Sequence, residues 1–410
     1  MIFTVLVISV VVFLPTLSHA QQPPDIRWVH LIGGDFNDDS RMLIDDGNNG
    51  VVAVGFTGQA MESESNLFCV HVDSSGALVW YRVFDYGQVT KGKDIIRLDN
   101  GGYLISGYRL DNDGSGMDAL LLCLDADGNL LWDRLIEGWR DDVAWRSCQV
   151  HHGFVVIGIT ESNPTEQKNS FFAKLNTQGE IQWVRQHGSD YADRTTTMTR
   201  TADGGFVLAG MTRNTSNQLD NGWLVRTDAN GSVLWERQYG GERTDEFYWV
   251  EALNDGGFIL CGRTMSNHDR EDFDHWLVRT DAEGNELASF SGGDAEANDW
   301  AQMVQPLENG FIVTGRGHDM LNGKQVSLGY FNSNLSEVYL VDRGYPSIDM
   351  AYAVRVMDDG GLAISGKATS PDEEYTDLLI ARTEAHIFSP DNLQRDSQRG
   401  AFRVISSRID

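Results

Sequence analysis

The chain has 410 residues, of which 41% are hydrophobic and 22% are charged, as in ordinary soluble globular proteins. Its formal net charge of −28 argues against nucleic acid and anionic lipid as partners, because an acidic surface repels phosphate groups. The same charge is consistent with a role in solubility, or with a salty or calcium-bearing exterior.

The first predicted element is a signal peptide over residues 1–20. Its apolar run, from Ile2 to Leu14, is too short to span a bilayer, and Ser18-His19-Ala20 fits a small-x-small cleavage site. No Lys or Arg precedes this run, so an uncleaved anchor is the alternative. Cleavage predicts an exported protein (secreted, periplasmic or at the cell surface) that does not insert into a membrane.

A glycine-containing turn then recurs along the chain with an almost constant spacing. The aligned glycines are Gly50, Gly102, Gly153, Gly205, Gly257, Gly310 and Gly361, at intervals of 52, 51, 52, 52, 53 and 51 residues. A period of about fifty residues is typical of a propeller blade. Each copy contains four apolar or alternating runs, such as "TTTMTRT", "FVLAGM", "GWLVRTD" and "SVLWERQ" in the fourth. The sequence therefore predicts an all-β fold, a seven-bladed β-propeller with four-stranded blades.

Two short signatures are predicted to shape each blade. Asp-Gly-Gly or Asn-Gly between the first two runs indicates a tight hairpin, which we expect to be a type I′ turn with positive φ at two residues. A second phrase, as in "TDANGSVLW", places a large aromatic residue four positions after a turn glycine. The residues at this position are Trp80, Trp132, Trp183, Trp235 and Tyr339, with Ala288 as the exception in the fifth repeat. We expect the indoles to pack against the next blade.

The two ends of the repeat region predict how the ring closes. Trp28 lies 52 residues before Trp80, so "IRWVHLI" is a fourth strand that precedes any first strand. "DLLIART", at residues 377–383, is a third strand with no fourth strand after it. We therefore expect the N-terminal strand to complete the last blade, which removes the open sheet edge. The predicted propeller domain spans residues 21–387, and residues 388–410 form a C-terminal tail.

The D-x-x-G-x-x-x-W phrase resembles the tryptophan-docking repeats of quinoprotein-type and outer-membrane-assembly propellers. The longer DGGF…G…W pattern resembles repeats of secreted, mostly bacterial β-propeller proteins whose function is not settled. The resemblance covers roughly residues 26–387 and implies a fold rather than an activity. No adjacent cysteine pair and no quinoprotein ligand set can be mapped onto the chain, so a quinoprotein dehydrogenase is disfavoured.

The cysteines do not form a recognisable framework. Cys69, Cys123, Cys148 and Cys261 lie in apolar runs of different repeats, without CxxC spacing. Buried free thiols are therefore favoured over disulfides, and a metal site built from these residues is not expected.

Acidic residues recur where the chain begins each first strand. Twelve residues before the turn glycines lie Asp38, Thr90, Asp141, Asp193, Asp245, Asn298 and Asp349. Turn aspartates commonly accept amide hydrogens, and this structural role is the first interpretation. The alternative is that the five aspartates of the series hold a calcium ion at the channel mouth, although a ring spaced over seven blades does not converge on one ion. No other cofactor is indicated.

A second repeat position differs between blades and is a better indicator of function. One residue after the glycine that ends each second strand, the chain has Phe56, Tyr108, Ile159, Met211, Arg263, Arg316 and Lys367. Three consecutive blades therefore present cations at this position. Aromatic and imidazole groups are expected nearby, namely Tyr108, Trp139 and Trp300, with His268 and His318 in adjacent loops. The set indicates an anion site with an aromatic flank, and pairing of the cations with neighbouring aspartates is the structural alternative.

The favoured function is non-catalytic. We expect an exported, monomeric scaffold that binds an acidic saccharide, protein or peptide at the channel-mouth face. The alternative is a saccharide-active enzyme, such as a polysaccharide lyase, in which a cation neutralises a uronate and His or Tyr moves the proton. No Gly-x-Ser-x-Gly, HExxH or phosphate-loop motif occurs in the sequence, so it identifies no catalytic residue.

Overall fold

The computed structural model describes residues 6–7, 24–33, 36–58, 64–87, 89–110, 116–136, 140–162, 168–188, 192–213, 219–267, 271–293, 297–319, 323–343, 347–369 and 375–384. Most of the predicted signal peptide and all of the predicted tail lie outside these ranges. No helix in the described ranges is long and apolar enough to cross a membrane.

Two strands precede the first complete blade, and four sheets of four antiparallel strands follow in chain order. The early strands are β1 (Leu6–Val7) and β2 (Ile26–Gly33). Blade 1 contains β3 (Asp38–Asp45), β4 (Val51–Gly58), β5 (Ser65–Val72) and β6 (Leu78–Phe84). Blade 2 contains β7 (Thr90–Arg97), β8 (Tyr103–Leu110), β9 (Met117–Leu124) and β10 (Leu130–Ile136). Blade 3 contains β11 (Asp142–Val150), β12 (Gly153–Thr160), β13 (Asn169–Leu175) and β14 (Ile181–His187). Blade 4 contains β15 (Asp193–Arg200), β16 (Phe206–Arg213), β17 (Asp220–Thr227) and β18 (Val233–Tyr239).

The remaining strands form blades 5 to 7. Blade 5 contains β19 (Asp245–Ala252), β20 (Phe258–Thr264), β21 (Asp274–Thr280) and β22 (Glu286–Gly292). Blade 6 contains β23 (Trp300–Leu307), β24 (Gly310–Asp319), β25 (Gly323–Asn332) and β26 (Glu337–Arg343), and β27 (Ser347–Ile348) runs parallel beside β25. Blade 7 contains β28 (Met350–Val356), β29 (Leu362–Thr369) and β30 (Thr376–Thr383).

The seven sheets form a closed ring, which confirms the predicted seven-bladed propeller. Each first strand contacts the first strand of the next blade, and β28 of blade 7 contacts β3 of blade 1. Strand β2 pairs with β30, with Trp28 opposite Arg382, and so supplies the fourth strand of blade 7 as predicted. Strand β1 pairs with the end of β2. Backbone hydrogen bonds thus join the early and late parts of the chain, and the last blade has no exposed third-strand edge.

Every first strand carries a β-bulge near its start. The register against the second strand shifts by one residue in each blade, at Arg41, Lys93, Trp145, Thr196, Tyr248, Gln302 and Tyr352. A bulge adds one residue to the inner strand and redirects its side chain. One side chain from each blade is therefore set at an equivalent position on the strand nearest the central channel.

The hairpin turns between first and second strands differ from the predicted type I′, and that prediction is wrong. Blades 2, 4, 5 and 7 have three-residue turns with a single positive φ, at Gly101, Gly204, Gly256 and Gly360. This pattern is that of a type I turn followed by a left-handed glycine. Gly205 is needed for a different reason, because a Cβ there would lie 2.4 Å from the carbonyl oxygen of Thr227. Blades 3 and 6 have turns of only two residues.

The tryptophans of the outer strands pack against the next blade, as predicted. A Cβ added at Gly128 in the blade 2 turn would lie 3.0 Å from the Trp80 ring of blade 1. The same contact recurs at Gly179 with Trp132, Gly231 with Trp183 and Gly284 with Trp235. Gly128 also has a positive φ of 77°, so glycine serves both the turn and the docked indole. Trp28 packs against Gly76 of blade 1 in the same way, at the contact between the last blade and the first.

The exception in blade 5 is matched by a change in blade 6. Ala288 occupies the tryptophan position, and the blade 6 turn has Leu335 where the other turns have glycine. Leu335 adopts a φ of 59°, which is unfavourable for a residue with a Cβ, yet its side chain is buried. Ala288 packs against the core cluster that includes Leu335. We therefore expect the leucine of the turn to occupy the space that an indole fills elsewhere.

The cysteines agree with the prediction of free thiols. All four are unpaired, with Cys148 half-buried and Cys69, Cys123 and Cys261 buried. Burial raises the pKa of Cys123 and of Cys148 to about 11, which makes both thiols poor nucleophiles at neutral pH.

Candidate functional site

Antiparallel pairing places the start of each first strand beside the end of the second strand. Asp38 lies opposite Thr57 in blade 1, and Asp245 lies opposite Thr264 in blade 5. We call this side of the ring the mouth face, and the short hairpin turns lie on the opposite side. Both residue series singled out in the sequence belong to the mouth face.

The aspartate series needs a correction in two blades. Strand pairing equates Asp38, Thr90, Asp142, Asp193 and Asp245. Asp299 and Asp349 lie directly before the first paired residues of blades 6 and 7 and take the same place there. The sequence-based assignment of Asp141 and Asn298 is wrong by one residue, because blades 3 and 6 have the shorter hairpin turns. Six of the seven equivalent positions are therefore aspartates.

The equivalent aspartates hold the first strand to the end of the second. Asp193 accepts hydrogen bonds from the hydroxyl of Thr212 at 2.6 Å and from the backbone N–H of Arg213 at 3.2 Å. Asp349 accepts the backbone N–H of Thr369 at 3.1 Å. Asp141 instead accepts the N–H of Met117 at 2.9 Å. These contacts support the structural interpretation of the series.

The proposed calcium ligands are distributed around the ring. Asp38, Asp193 and Asp245 lie in the first strands of blades 1, 4 and 5, and Asp141 and Asp349 directly precede the first strands of blades 3 and 7. Within the described ranges, no group of three or more His, Cys, Asp or Glu side chains is arranged to hold a metal ion.

The next level of the mouth contains two residues from each blade. The pairs are Asp39 with Phe56, Lys91 with Tyr108, Val143 with Ile159, Arg194 with Met211, Glu246 with Arg263, Trp300 with Arg316 and Met350 with Lys367. Five of these fourteen residues are cationic and two are acidic. This level is thus positive in a protein whose net charge is −28.

Arg263 is paired, but not with an aspartate of the series. Its Nη2 donates to Glu246 Oε1 at 3.1 Å, and Arg194 Nη2 donates to the same oxygen at 3.2 Å. Tyr248 donates its hydroxyl hydrogen to the other oxygen of Glu246 at 3.0 Å. Two cations therefore share one carboxylate that is already bound by a phenol.

Arg263 and Arg316 share an aromatic surface. The guanidinium carbon of Arg316 lies 4.3 Å from the centroid of the Trp300 ring, and that of Arg263 lies 5.9 Å from it. Arg263 also lies 3.9 Å from the ring centroid of Phe273. The Nε atoms of both arginines are buried and have no hydrogen-bond partner among the described residues. The structure thus brings Arg263, Arg316 and Trp300 together.

The remaining predicted site residues are more dispersed. His318 lies in β24 rather than in a loop, because that strand extends to Asp319. Lys367 is close enough to Asp39 to act on its carboxyl, on the blade 1 side of the mouth. Tyr108 lies beside Lys93, whose Nζ is 5.4 Å from the phenol ring centroid. Two further predicted residues, His268 and Trp139, lie outside the described residues.

The bulge residues, which the repeat pattern did not single out, extend the cationic surface. Arg41 Nη2 binds Asp39 at 2.8 Å, and its guanidinium carbon lies 4.4 Å from the Tyr352 ring centroid. Lys93 Nζ lies 4.4 Å from the centroid of Trp145. Their positions are nevertheless regular in the sequence. The bulge residues lie nine positions before the turn glycine, or eight in the two blades with shorter turns.

Three tyrosines beside these cations are protonated at neutral pH. Burial raises the pKa of Tyr108, Tyr248 and Tyr352. The nearby carboxylates Glu246 and Asp39 raise the pKa of Tyr248 and Tyr352 further. At neutral pH these phenols are hydrogen-bond donors and poor proton acceptors.

The fold and the mouth define the chain as a seven-bladed β-propeller with a cation-rich, aromatic channel mouth. Among solved structures it is similar to puromycin hydrolase, at a TM-score of 0.53 and 15% identity, over 92% of this chain and 58% of that one. It is also similar to the propeller domain of the trilobed protease from Pyrococcus furiosus (TM-score 0.47, 10% identity, 87% and 98% covered). A third is the Pan2 WD40 domain from Neurospora crassa (TM-score 0.43, 12% identity, 74% and 90% covered).

The likeness to puromycin hydrolase supports the propeller fold alone, because unrelated functions share this architecture. A comparison with protein-family models finds no match, and a comparison with curated proteins finds none either.

Proposed function

We propose that this chain is an exported, non-catalytic binding module whose mouth face takes an acidic ligand. The observation that carries the proposal is the pair formed by Arg263 and Arg316. The two arginines come from adjacent blades, flank one tryptophan, and each has a buried Nε–H that lacks an acceptor among the described residues.

A ligand carboxylate would supply the missing acceptors. A buried donor without a partner costs free energy, and a carboxylate can accept two parallel bonds from one guanidinium group. Trp300 and Phe273 add flat apolar faces beside the charges. Such faces suit the rings of a saccharide, so we favour an acidic oligosaccharide over an acidic peptide.

The protonated state of the tyrosine side chains at the mouth favours binding over lyase chemistry. A lyase needs a group that removes a proton from the substrate, and the raised pKa values of Tyr108, Tyr248 and Tyr352 make these residues unsuited to that role. A lyase is the second candidate function because of His318, which lies two residues after Arg316. Its Nδ1 is buried and has no hydrogen-bond partner in the described part of the chain.

Calorimetric titration with trigalacturonate, hexaglutamate and neutral maltotriose tests the proposal. We expect trigalacturonate to bind, maltotriose not to bind, and the affinity to fall as salt is added. Ultraviolet absorbance of an unsaturated product, recorded in the same mixtures, would reveal a lyase. Equal binding of the acidic and the neutral saccharide would contradict an anion site, and stronger binding of hexaglutamate would make the ligand a peptide.

A further inference from the structure

A second cationic group lies on the blade 1 to blade 3 side of the channel, apart from Arg263 and Arg316. Its members are the consecutive bulge residues Arg41, Lys93 and Trp145. Lys93 Nζ lies over the Trp145 ring at 4.4 Å, and Arg41 lies over the Tyr352 ring at 4.4 Å. These residues form one cation–aromatic cluster on the innermost strands.

The carboxylates beside this cluster are already engaged by arginines. Asp39 binds Arg41 at 2.8 Å, and Asp94 binds Arg146 at 3.0 Å. Lys93 lies among these pairs, and Arg41, Lys91 and Arg146 all repel its charge. The positive charge of Lys93 is therefore not balanced by a dedicated carboxylate among the described residues.

Two buried donors in the same cluster lack acceptors. The indole N–H of Trp145 and the Nε–H of Arg41 have no hydrogen-bond partner in the described part of the chain. Unsatisfied buried donors beside an unbalanced cation are the features of a site that an anion completes.

We infer that Arg41, Lys93 and Trp145 form a second anion subsite, which binds a second acidic group of the same ligand. The inference rests on the proposed function and narrows it, because it requires a ligand with at least two acidic groups, as in an oligouronate. Tyr352 connects the two regions, since both Arg41 and Arg316 act on its hydroxyl. The ligand would then lie across the mouth from blades 5 and 6 to blades 1 and 2.

Binding at this subsite depends on pH through Lys93. Burial and the repulsion of Arg41, Lys91 and Arg146 lower the pKa of Lys93 to about 7, and Asp39 opposes the shift. Tyr108 also faces Lys93 and stays neutral, because burial raises its pKa. An anion prefers the protonated lysine, so affinity is full below the pKa of the free protein. Above it, affinity falls by about tenfold per pH unit until the higher pKa of the complex is reached.

Titration of trigalacturonate into wild-type protein and into Lys93→Gln tests the subsite, about one pH unit below and one above the pKa of Lys93. We expect wild-type affinity to drop by about tenfold between the two conditions, with proton uptake on binding above the pKa. Lys93→Gln should bind at least about tenfold more weakly at the lower pH and lose the pH dependence. The matched control is Lys174→Gln, which removes a lysine from third strand β13 and should behave as wild type.

The outcomes separate the subsite from the proposed function. Unchanged affinity and pH dependence in Lys93→Gln, with loss of binding in an Arg263→Gln/Arg316→Gln protein, would overturn the subsite and leave the mouth proposal intact. Failure of wild-type protein to bind either trigalacturonate or hexaglutamate would overturn both. A lower melting temperature of Lys93→Gln with unchanged binding would assign Lys93 to stability, whereas we expect no loss of stability, because the change removes a repelled charge.

Discussion

At the scale of single residues, the aspartates that begin the first strands stabilise the fold through local hydrogen bonds. Asp245 accepts hydrogen bonds from the hydroxyls of Thr264 and Ser266, the latter at 2.6 Å, and from the backbone N–H of Gly241 at 2.9 Å. A neutral amide at this position offers one acceptor oxygen and faces the remaining donors with its own N–H groups.

Asp245→Asn should therefore lower the free energy of unfolding by about 1 kcal/mol. Chemical denaturation with calcium and with a chelator should give the same loss, since the role is structural. A sharp fall in the wild-type melting temperature on chelation would instead indicate that these carboxylates bind a cation.

Part of the mouth could be predicted from single positions in the sequence. Arg263, Arg316 and Trp300 were identified because they share a repeat position or lie beside one, and strand pairing brings them together. A fixed count gives Asp141 and Asn298 where the structure aligns Asp142 and Asp299, because a shortened turn in the same blade shifts the count by one residue. The sequence could not show that two arginines share Glu246, because this contact depends on side chains from neighbouring blades.

At the scale of elements, five of the seven contacts between neighbouring blades place a tryptophan of one blade against a turn glycine of the next. Between the fifth and sixth blades, Ala288 stands at the tryptophan position and Leu335 at the turn-glycine position, and both belong to one core region. Sequence alone identified Ala288 as an exception, but it could not show the compensation, because that requires knowing which turn each outer strand meets.

A double-mutant cycle tests the compensation. Ala288→Trp should destabilise the protein by about 2 kcal/mol through overpacking against Leu335. Leu335→Gly should cost about 2 kcal/mol, since the loss of a buried leucine is partly offset by relief of its positive φ. The double variant should recover most of the loss, because it restores the tryptophan and glycine of the other blades.

Chemical denaturation of the four proteins gives the coupling energy. Additive losses in the double variant would show that the two positions do not share one space. Leu287→Trp is the control, because residue 287 is 59% exposed and a tryptophan there should be nearly neutral.

At the scale of the whole molecule, the ring depends on the pairing of β2 with β30. Removing residues 21–34 leaves blade 7 with three strands, takes away the buried Trp28, and exposes the edge of β30. We expect the melting temperature to fall markedly, since a closed ring shares stability between neighbouring blades. Removing the predicted tail, residues 388–410, should have no comparable effect. Equal melting temperatures for the shortened and the full chain would contradict closure by this strand.

The whole molecule also concentrates positive charge at the mouth against a net charge of −28. We propose that this concentration of charge binds an acidic ligand rather than stabilising the ring. Arg263→Gln/Arg316→Gln separates the two roles, because Glu246 keeps Arg194 and Tyr248 as partners when Arg263 is lost.

The most direct measurement is therefore calorimetric titration of trigalacturonate into wild-type and Arg263→Gln/Arg316→Gln proteins, with a thermal melt of each. Each guanidinium–carboxylate contact should contribute about 1.5–3 kcal/mol, so the double variant should bind at least about a hundredfold more weakly. Its melting temperature should stay close to that of the wild type. A large loss of stability with unchanged affinity would contradict the account and assign these arginines to the structure of the ring.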